Sequence, residues 1–152
     1  VDKLELEKKG VDLKDLAGKP GTENIIPQAV FYYYYFKYNE FRISNEEVAF
    51  LKFTDDLVEY IRKKERAKIF IEGTASNVPI QNQNNSNKKL AESRALHIQE
   101  ILTNTLKKNG IDQSKAVFII STSVAGPKYN NDAEKNKMNY GKFQYVKIFI
   151  TE

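Results

Sequence analysis

Apolar and polar positions fall into two rhythms along the chain, a period of two typical of strands and a period near 3.6 typical of helices. Residues 30–38, "VFYYYYFKY", have the aromatic and β-branched enrichment of a strand. "SNEE" follows, with Ser44 as the expected N-cap and Glu47 three residues on, a capping box. A helix is predicted from there to about Lys64, with Phe50, Phe53, Leu57 and Ile61 at helical spacing and Leu51 and Val58 beside them. "AKIFIEG", residues 67–73, reads as a second strand ended by Gly73, and 74–87 as a polar loop. A second helix is predicted from about Lys88 to Asn109, with Gly110 as its stop and Ile111 as the apolar follower. "AVFIIS" (116–121) is a third strand, 122–142 a long loop rich in Asn, Lys and Gly, and "FQYVKIFI" (143–150) a last strand. Residues 1–28 hold many charges with Gly10, Gly18, Gly21, Pro20 and Pro27, which reads as a linker or lead-in ahead of a domain at 29–152.

The order β-α-β-α-β-β predicts an α/β (α+β) two-layer sandwich, a mixed four-stranded sheet with two helices on one face. Side chains alternate across a strand. Val30, Tyr32, Tyr34 and Phe36 then share one face, and Phe31, Tyr33, Tyr35 and Lys37 the other. In the last strand Val146, Ile148 and Ile150 oppose Tyr145, Lys147 and Phe149; in the second, Ile69 and Ile71 oppose Lys68, Phe70 and Glu72. The aliphatic sets belong under the helices, which leaves a face of rings interleaved with lysines. Such a face can stack nucleic-acid bases. "KFQYVKIF" fits the RNA-binding strand motif poorly, because Gly141 precedes Lys142 and Gln144 stands where a small residue is expected. Rings on a half-exposed pleated surface are also ordinary strand chemistry, so no nucleic-acid partner is expected.

Composition narrows the chemistry. The chain of 152 residues is 41% hydrophobic and 29% charged, with a formal net charge of +4, as suits one globular domain of mildly basic character. It contains no cysteine, which excludes disulfides, thiolate catalysis and cysteine metal sites. No apolar run approaches the roughly 18 residues of a membrane helix, so membrane attachment is expected only through a part of the protein outside this chain. The chain begins at Val1 without a signal-like segment and is expected to be a processed chain or an excised domain. No histidine–acid–serine set, metal-ligand cluster or glycine-rich phosphate loop is visible, so neither catalysis nor a cofactor or metal is expected. His97, the single histidine, sits on the flank of an apolar arc and reads as structural or solvated.

One residue breaks the pattern. Leu90, Ala91, Ala95, Ile98, Ile101, Leu102 and Leu106 form the apolar arc of the second helix, and Arg94 falls inside it, between Leu90 and Ile98. Asn87 lies on the same line one turn earlier. An arginine facing a core must pair or snorkel, since an unpaired buried guanidinium is very costly. Two readings stay open: a carboxylate-binding arginine near the anion-favouring helix start, or a salt bridge to Glu72 or to an acid of the 122–142 loop.

The ordered set of motifs resembles the OmpA-like C-terminal domain, the peptidoglycan-binding module of Gram-negative envelopes, from about Val30 to Ile150. "FYYYYFKYNEFRISNEEVAFL" is similar to its opening strand and first helix, and "IFIEGTAS" to its second strand, which usually ends in Gly-His-Thr-Asp. "NKKLAESRA" is similar to its Asn-x-x-Leu-Ser-x-x-Arg-Ala signature through Asn87, Leu90, Arg94 and Ala95, with Ala91 for serine. "FQYVKIFI" is similar to its last strand, usually preceded by Asn-Arg-Arg. The resemblance implies a non-catalytic module in the periplasm, associated with the outer membrane. There a loop aspartate and the helix arginine clamp the ammonium and carboxylate of diaminopimelate in the peptide stem. It implies Arg94 for the carboxylate, with Ser76, Thr74, Asn87 and Tyr145 around the ligand. The ammonium half departs from the pattern. Ser76 replaces the aspartate, Thr74-Ala75 replaces His-Thr, and Phe143-Gln144-Tyr145 replaces Asn-Arg-Arg. Loss of one buried charge pair typically costs about 3–5 kcal/mol. The expected partners are therefore peptidoglycan, bound through a degenerate site, or, alternatively, envelope proteins docking on a fold that has lost cell-wall binding.

Overall fold

The computed structural model describes residues 31–80 and 86–152. The segment read as a linker, 1–28, lies outside the described residues, as does Val30. In chain order the elements are β1 (Phe31–Tyr35), α1 (Val48–Lys64), β2 (Ala67–Ala75), α2 (Asn87–Lys108), a single 3-10 turn (Gln113–Lys115), β3 (Ala116–Val124), the short α3 (Lys137–Gly141) and β4 (Tyr145–Thr151). The sheet runs β1-β4-β2-β3; β4 is antiparallel to both neighbours and β2 is parallel to β3. This is the mixed four-stranded sheet and two-layer α/β fold that the sequence predicts.

The inward faces are those given by alternation. Ile69 and Ile71 of β2 and Val146, Ile148 and Ile150 of β4 are buried, together with Tyr32 and Phe36. They pack with Phe50, Phe53, Leu57 and Ile61 of α1 and Ala95, Ile98, Leu102 and Leu106 of α2 in one core. The outer face carries a cross-strand row in which Phe31 pairs with Phe149, Phe149 with Phe70, and Phe70 with Ile119. Phe70 and Phe149 stack with centroids 4.6 Å apart. The next row holds the Lys147–Glu72 ion pair at 3.4 Å.

Local chemistry moves several boundaries. Glu47, not Ser44, caps α1: its carboxylate accepts from the N–H groups of Ala49 (3.2 Å) and Phe50 (2.9 Å), while Ser44 Oγ accepts from Glu46 N–H in the preceding turn. Glu47 also accepts a hydrogen bond from the Tyr32 hydroxyl, which ties the start of α1 to β1. β2 continues past Gly73, because Thr74 pairs with Tyr145 and Ser123, and Ala75 with Val124. β3 likewise reaches Val124, and α3 occupies the end of what reads as one long loop. The C-terminus of α2 is as read: Gly110 adopts φ +72°, its N–H donates to Lys107 O (3.1 Å), and Ile111 N–H donates to Leu106 O (3.0 Å).

Gly73 sets how closely α2 approaches the sheet. A Cβ there would lie 2.2 Å from Ala91 O and 3.0 Å from Ala95 Cβ, so only glycine permits the observed contact. The same contact brings Arg94, one residue before Ala95, onto the end of β2.

Candidate functional site

Arg94 is wholly inaccessible to solvent. Its guanidinium sits where three segments meet. Nε donates to Glu40 O (2.8 Å) and Nη2 to Lys37 O (3.2 Å), both in the turn after β1. Nη1 donates to Thr74 O (2.8 Å) at the end of β2 and to Gln144 Oε1 (2.7 Å) just ahead of β4. The Cζ atom lies 4.7 Å from the centroid of the Phe36 ring, a cation–π arrangement. Among the described residues every partner is a neutral oxygen or a ring. No acidic side chain among the described residues pairs with it, and Glu72, one candidate counterion, pairs with Lys147 instead. Burial pulls the Arg94 pKa down to about 10, and the negative field of Glu40 offsets only part of that. Among the described residues the charge is solvated by carbonyl dipoles and one ring face, with no ion pair.

Gln144 is the partner that sequence reasoning left out of the site. It is 2% exposed, and its Oε1 accepts from Arg94 Nη1 and from Ser76 N–H (3.2 Å) together. Strand parity carries the signal: residues 144, 146, 148 and 150 point to one side, and the last three are core residues. Tyr145 has the other parity. It is buried on the outer face near Tyr35, with ring centroids 5.9 Å apart, across the sheet from Arg94.

The remaining candidates divide. Ser76 is fully buried beside Gln144, and its Oγ accepts from Val78 N–H at 3.3 Å. Thr74 offers its carbonyl to Arg94, whereas its hydroxyl lies 3.4 Å from Ser123 Oγ. Asn87 opens α2 after the Ser86 cap and is partly buried. His97 packs edge-on against Phe41, with its pKa lowered by burial and by Arg42, as a structural ring would. A cavity of 210 Å³ between the start of α2 and the end of β3 is walled by Lys88, Ala91, Thr122, Ser123 and Val124, with Arg94 outside its lining. Among the described residues no three His, Cys, Asp or Glu side chains group as metal ligands.

The family model of the OmpA family matches residues 35–140, which include the turn after β1, the end of β2 and all of α2. Among solved structures, the chain is similar to the cell wall anchor of the T6SS from Pseudomonas aeruginosa, at 19% identity over 80% of each chain with a TM-score of 0.51. It is also similar to the peptidoglycan-associated lipoprotein from Burkholderia pseudomallei, at 11% identity over 92% of this chain and 100% of that one with a TM-score of 0.50. A MotB periplasmic domain aligns at 20% identity with a TM-score of 0.49 over 77% of this chain, which spans 57% of the length of that domain. No curated protein matches the sequence significantly.

Proposed function

The chain belongs to the OmpA family, and from that premise we propose that it is a non-catalytic module of the cell envelope that contacts peptidoglycan on the periplasmic side, in association with the outer membrane. The names of two structural neighbours, a cell wall anchor and a peptidoglycan-associated lipoprotein, support that setting. The observation that carries the reading is the electrostatic state of Arg94. A fully buried guanidinium bonded, among the described residues, only to neutral oxygens is a cation without an anion beside it there. A peptide-stem carboxylate would supply one, forming a hydrogen bond in which both donor and acceptor are charged in place of one to a neutral oxygen. The ammonium of the stem meets less: Ser76 has no charge and its hydroxyl is engaged with Val78 N–H, so contact with the stem rests on the carboxylate end. Cosedimentation with purified sacculi tests this. The parent is expected to be retained and Arg94→Lys to lose most of the retention while still folded by circular dichroism. Equal retention of the two would remove the arginine from the binding site.

A second reading is a docking module for another envelope protein. The row Phe31, Phe149, Phe70 and Ile119 on the face opposite α1 and α2 favours it, with Val117 (53% exposed) and Ile119 (39%) exposed, among the described residues, on the edge strand β3. Absence of any retention on sacculi, with the fold intact, would favour this reading over the first.

A further inference from the structure

We propose that Gln144 is a built-in occupant of the carboxylate seat at Arg94, and that ligand binding there requires its side chain to leave. The inference rests on the reading of Arg94 as an anion site and deepens it. Its basis is what Oε1 touches. That one oxygen accepts from a guanidinium N–H (Arg94 Nη1, 2.7 Å) and from a backbone N–H (Ser76, 3.2 Å). A convergent side-chain and main-chain donor pair is the recognition pattern for a carboxylate oxygen. A glutamine amide matches the shape and acceptor geometry but carries no charge.

The position of Gln144 suits a displaceable group. It lies between α3, which ends at Gly141, and β4, which begins at Tyr145. Its main chain is held independently of its side chain: the carbonyl accepts from Phe36 N–H (2.6 Å), and its N–H donates to Gly141 O (3.2 Å). Those main-chain bonds would hold the register of β4 against β1 if the side chain changed rotamer. Rotation would uncover Arg94 Nη1 and Ser76 N–H together, at the end of β2.

The competition has a defined arithmetic. If the seat is free for a fraction f of the time, the apparent dissociation constant is the intrinsic one divided by f. A plug in place about 99% of the time weakens carboxylate binding about 100-fold. Gln144→Ala removes the competitor and keeps both donors. Gln144→Glu fixes a carboxylate in the seat for good.

The probes are sodium acetate, followed by thermal melting against equal sodium chloride up to about 0.1 M, and purified sacculi, followed by cosedimentation. Gln144→Ala is expected to gain several degrees in acetate while the parent is indifferent, and to bind sacculi on the order of tenfold or more tightly than the parent. Gln144→Glu is expected to melt higher than the parent at neutral pH, to lose that advantage on acidification through the carboxylate range, and to ignore acetate. A folded Gln144→Ala with no response specific to acetate overturns the proposal. So does a Gln144→Glu that melts lower than the parent at neutral pH, which decides the matter even where the alanine variant fails to fold. An acetate response without sacculi retention in any variant keeps the plug and rejects peptidoglycan as the ligand. Retention of the parent with no acetate response in Gln144→Ala does the reverse.

Discussion

Replacing Arg94 with methionine keeps the length and apolar bulk of the side chain and removes its donors. The buried oxygen that loses its side-chain donor is Thr74 O, on a residue 1% exposed, whereas Gln144 Oε1 keeps the Ser76 N–H. An unsatisfied buried acceptor costs about 1–3 kcal/mol. Lys37 and Glu40 are exposed residues, so water can recover their carbonyls, and each lost bond there, like the one lost at Gln144, counts about 1 kcal/mol. The cation–π contact with Phe36 adds about 1 kcal/mol. Against these stands the relief of a buried charge: the fall of the Arg94 pKa from 12.5 to about 10 corresponds to about 3 kcal/mol. The net loss is about 2–4 kcal/mol, or roughly 5–15 °C in melting temperature for a domain of this size. Urea denaturation followed by far-ultraviolet circular dichroism measures it. Arg94→Lys keeps the charge but not the fork of donors that reaches three segments at once, and it should recover less than half of the loss. An Arg94→Met protein within about 0.5 kcal/mol of the parent would refute the view that this side chain knits the turn after β1 to β2 and β4.

Gly73→Ala is expected to destabilise by several kcal/mol, on the order of an overpacked core, because the new Cβ would stand 2.2 Å from the main-chain oxygen of Ala91; urea midpoints of parent and variant would show it. Burial, the hydrogen bond to Glu47 and the negative fields of Glu47 and Tyr34 push the Tyr32 pKa far above its ordinary value of 10.0. The folded state therefore keeps a proton that the unfolded state gives up, and this contribution is present below about pH 10 and lost as pH rises above it. Arg94, with its lowered pKa, acts with the opposite sign in the same alkaline range, so the comparison of Tyr32→Phe with the parent isolates the tyrosine: the variant should lose stability less steeply above about pH 10. The Glu72–Lys147 pair, with side chains 32% and 19% exposed, should give a coupling of about 1 kcal/mol or less in a double-mutant cycle at moderate salt; a much larger value would mean that the outer face is drier than its exposure indicates.

The fold was largely legible because burial follows period. The alternation of β2 and β4 placed Ile69, Ile71, Val146, Ile148 and Ile150 on the inward face, where they are buried, and the arc of α2 singled out Arg94 as a polar intruder on a core face. The Gly110–Ile111 ending of α2 was equally plain, since it depends on residues adjacent in sequence. Ser44 misled because Ser-x-x-Glu also suits a turn, and two N–H groups were already served by Glu47. β2 and β3 outran their sequence signals because ladder partners on neighbouring strands extend a strand past its apolar run.

The sequence alone determined that a cation sits on the buried face of α2, because helical spacing fixes which side chains face the sheet. Tertiary structure alone decided what that cation meets. The oxygens around Arg94 come from residues 37, 40, 74 and 144, so between 20 and 57 positions away. Three of the four are main-chain carbonyls, which every residue type supplies alike and which therefore leave no mark in the amino-acid code. Only the close approach of α2 to β2 at Gly73, and the return of β4 between β1 and β2, brings them to one point.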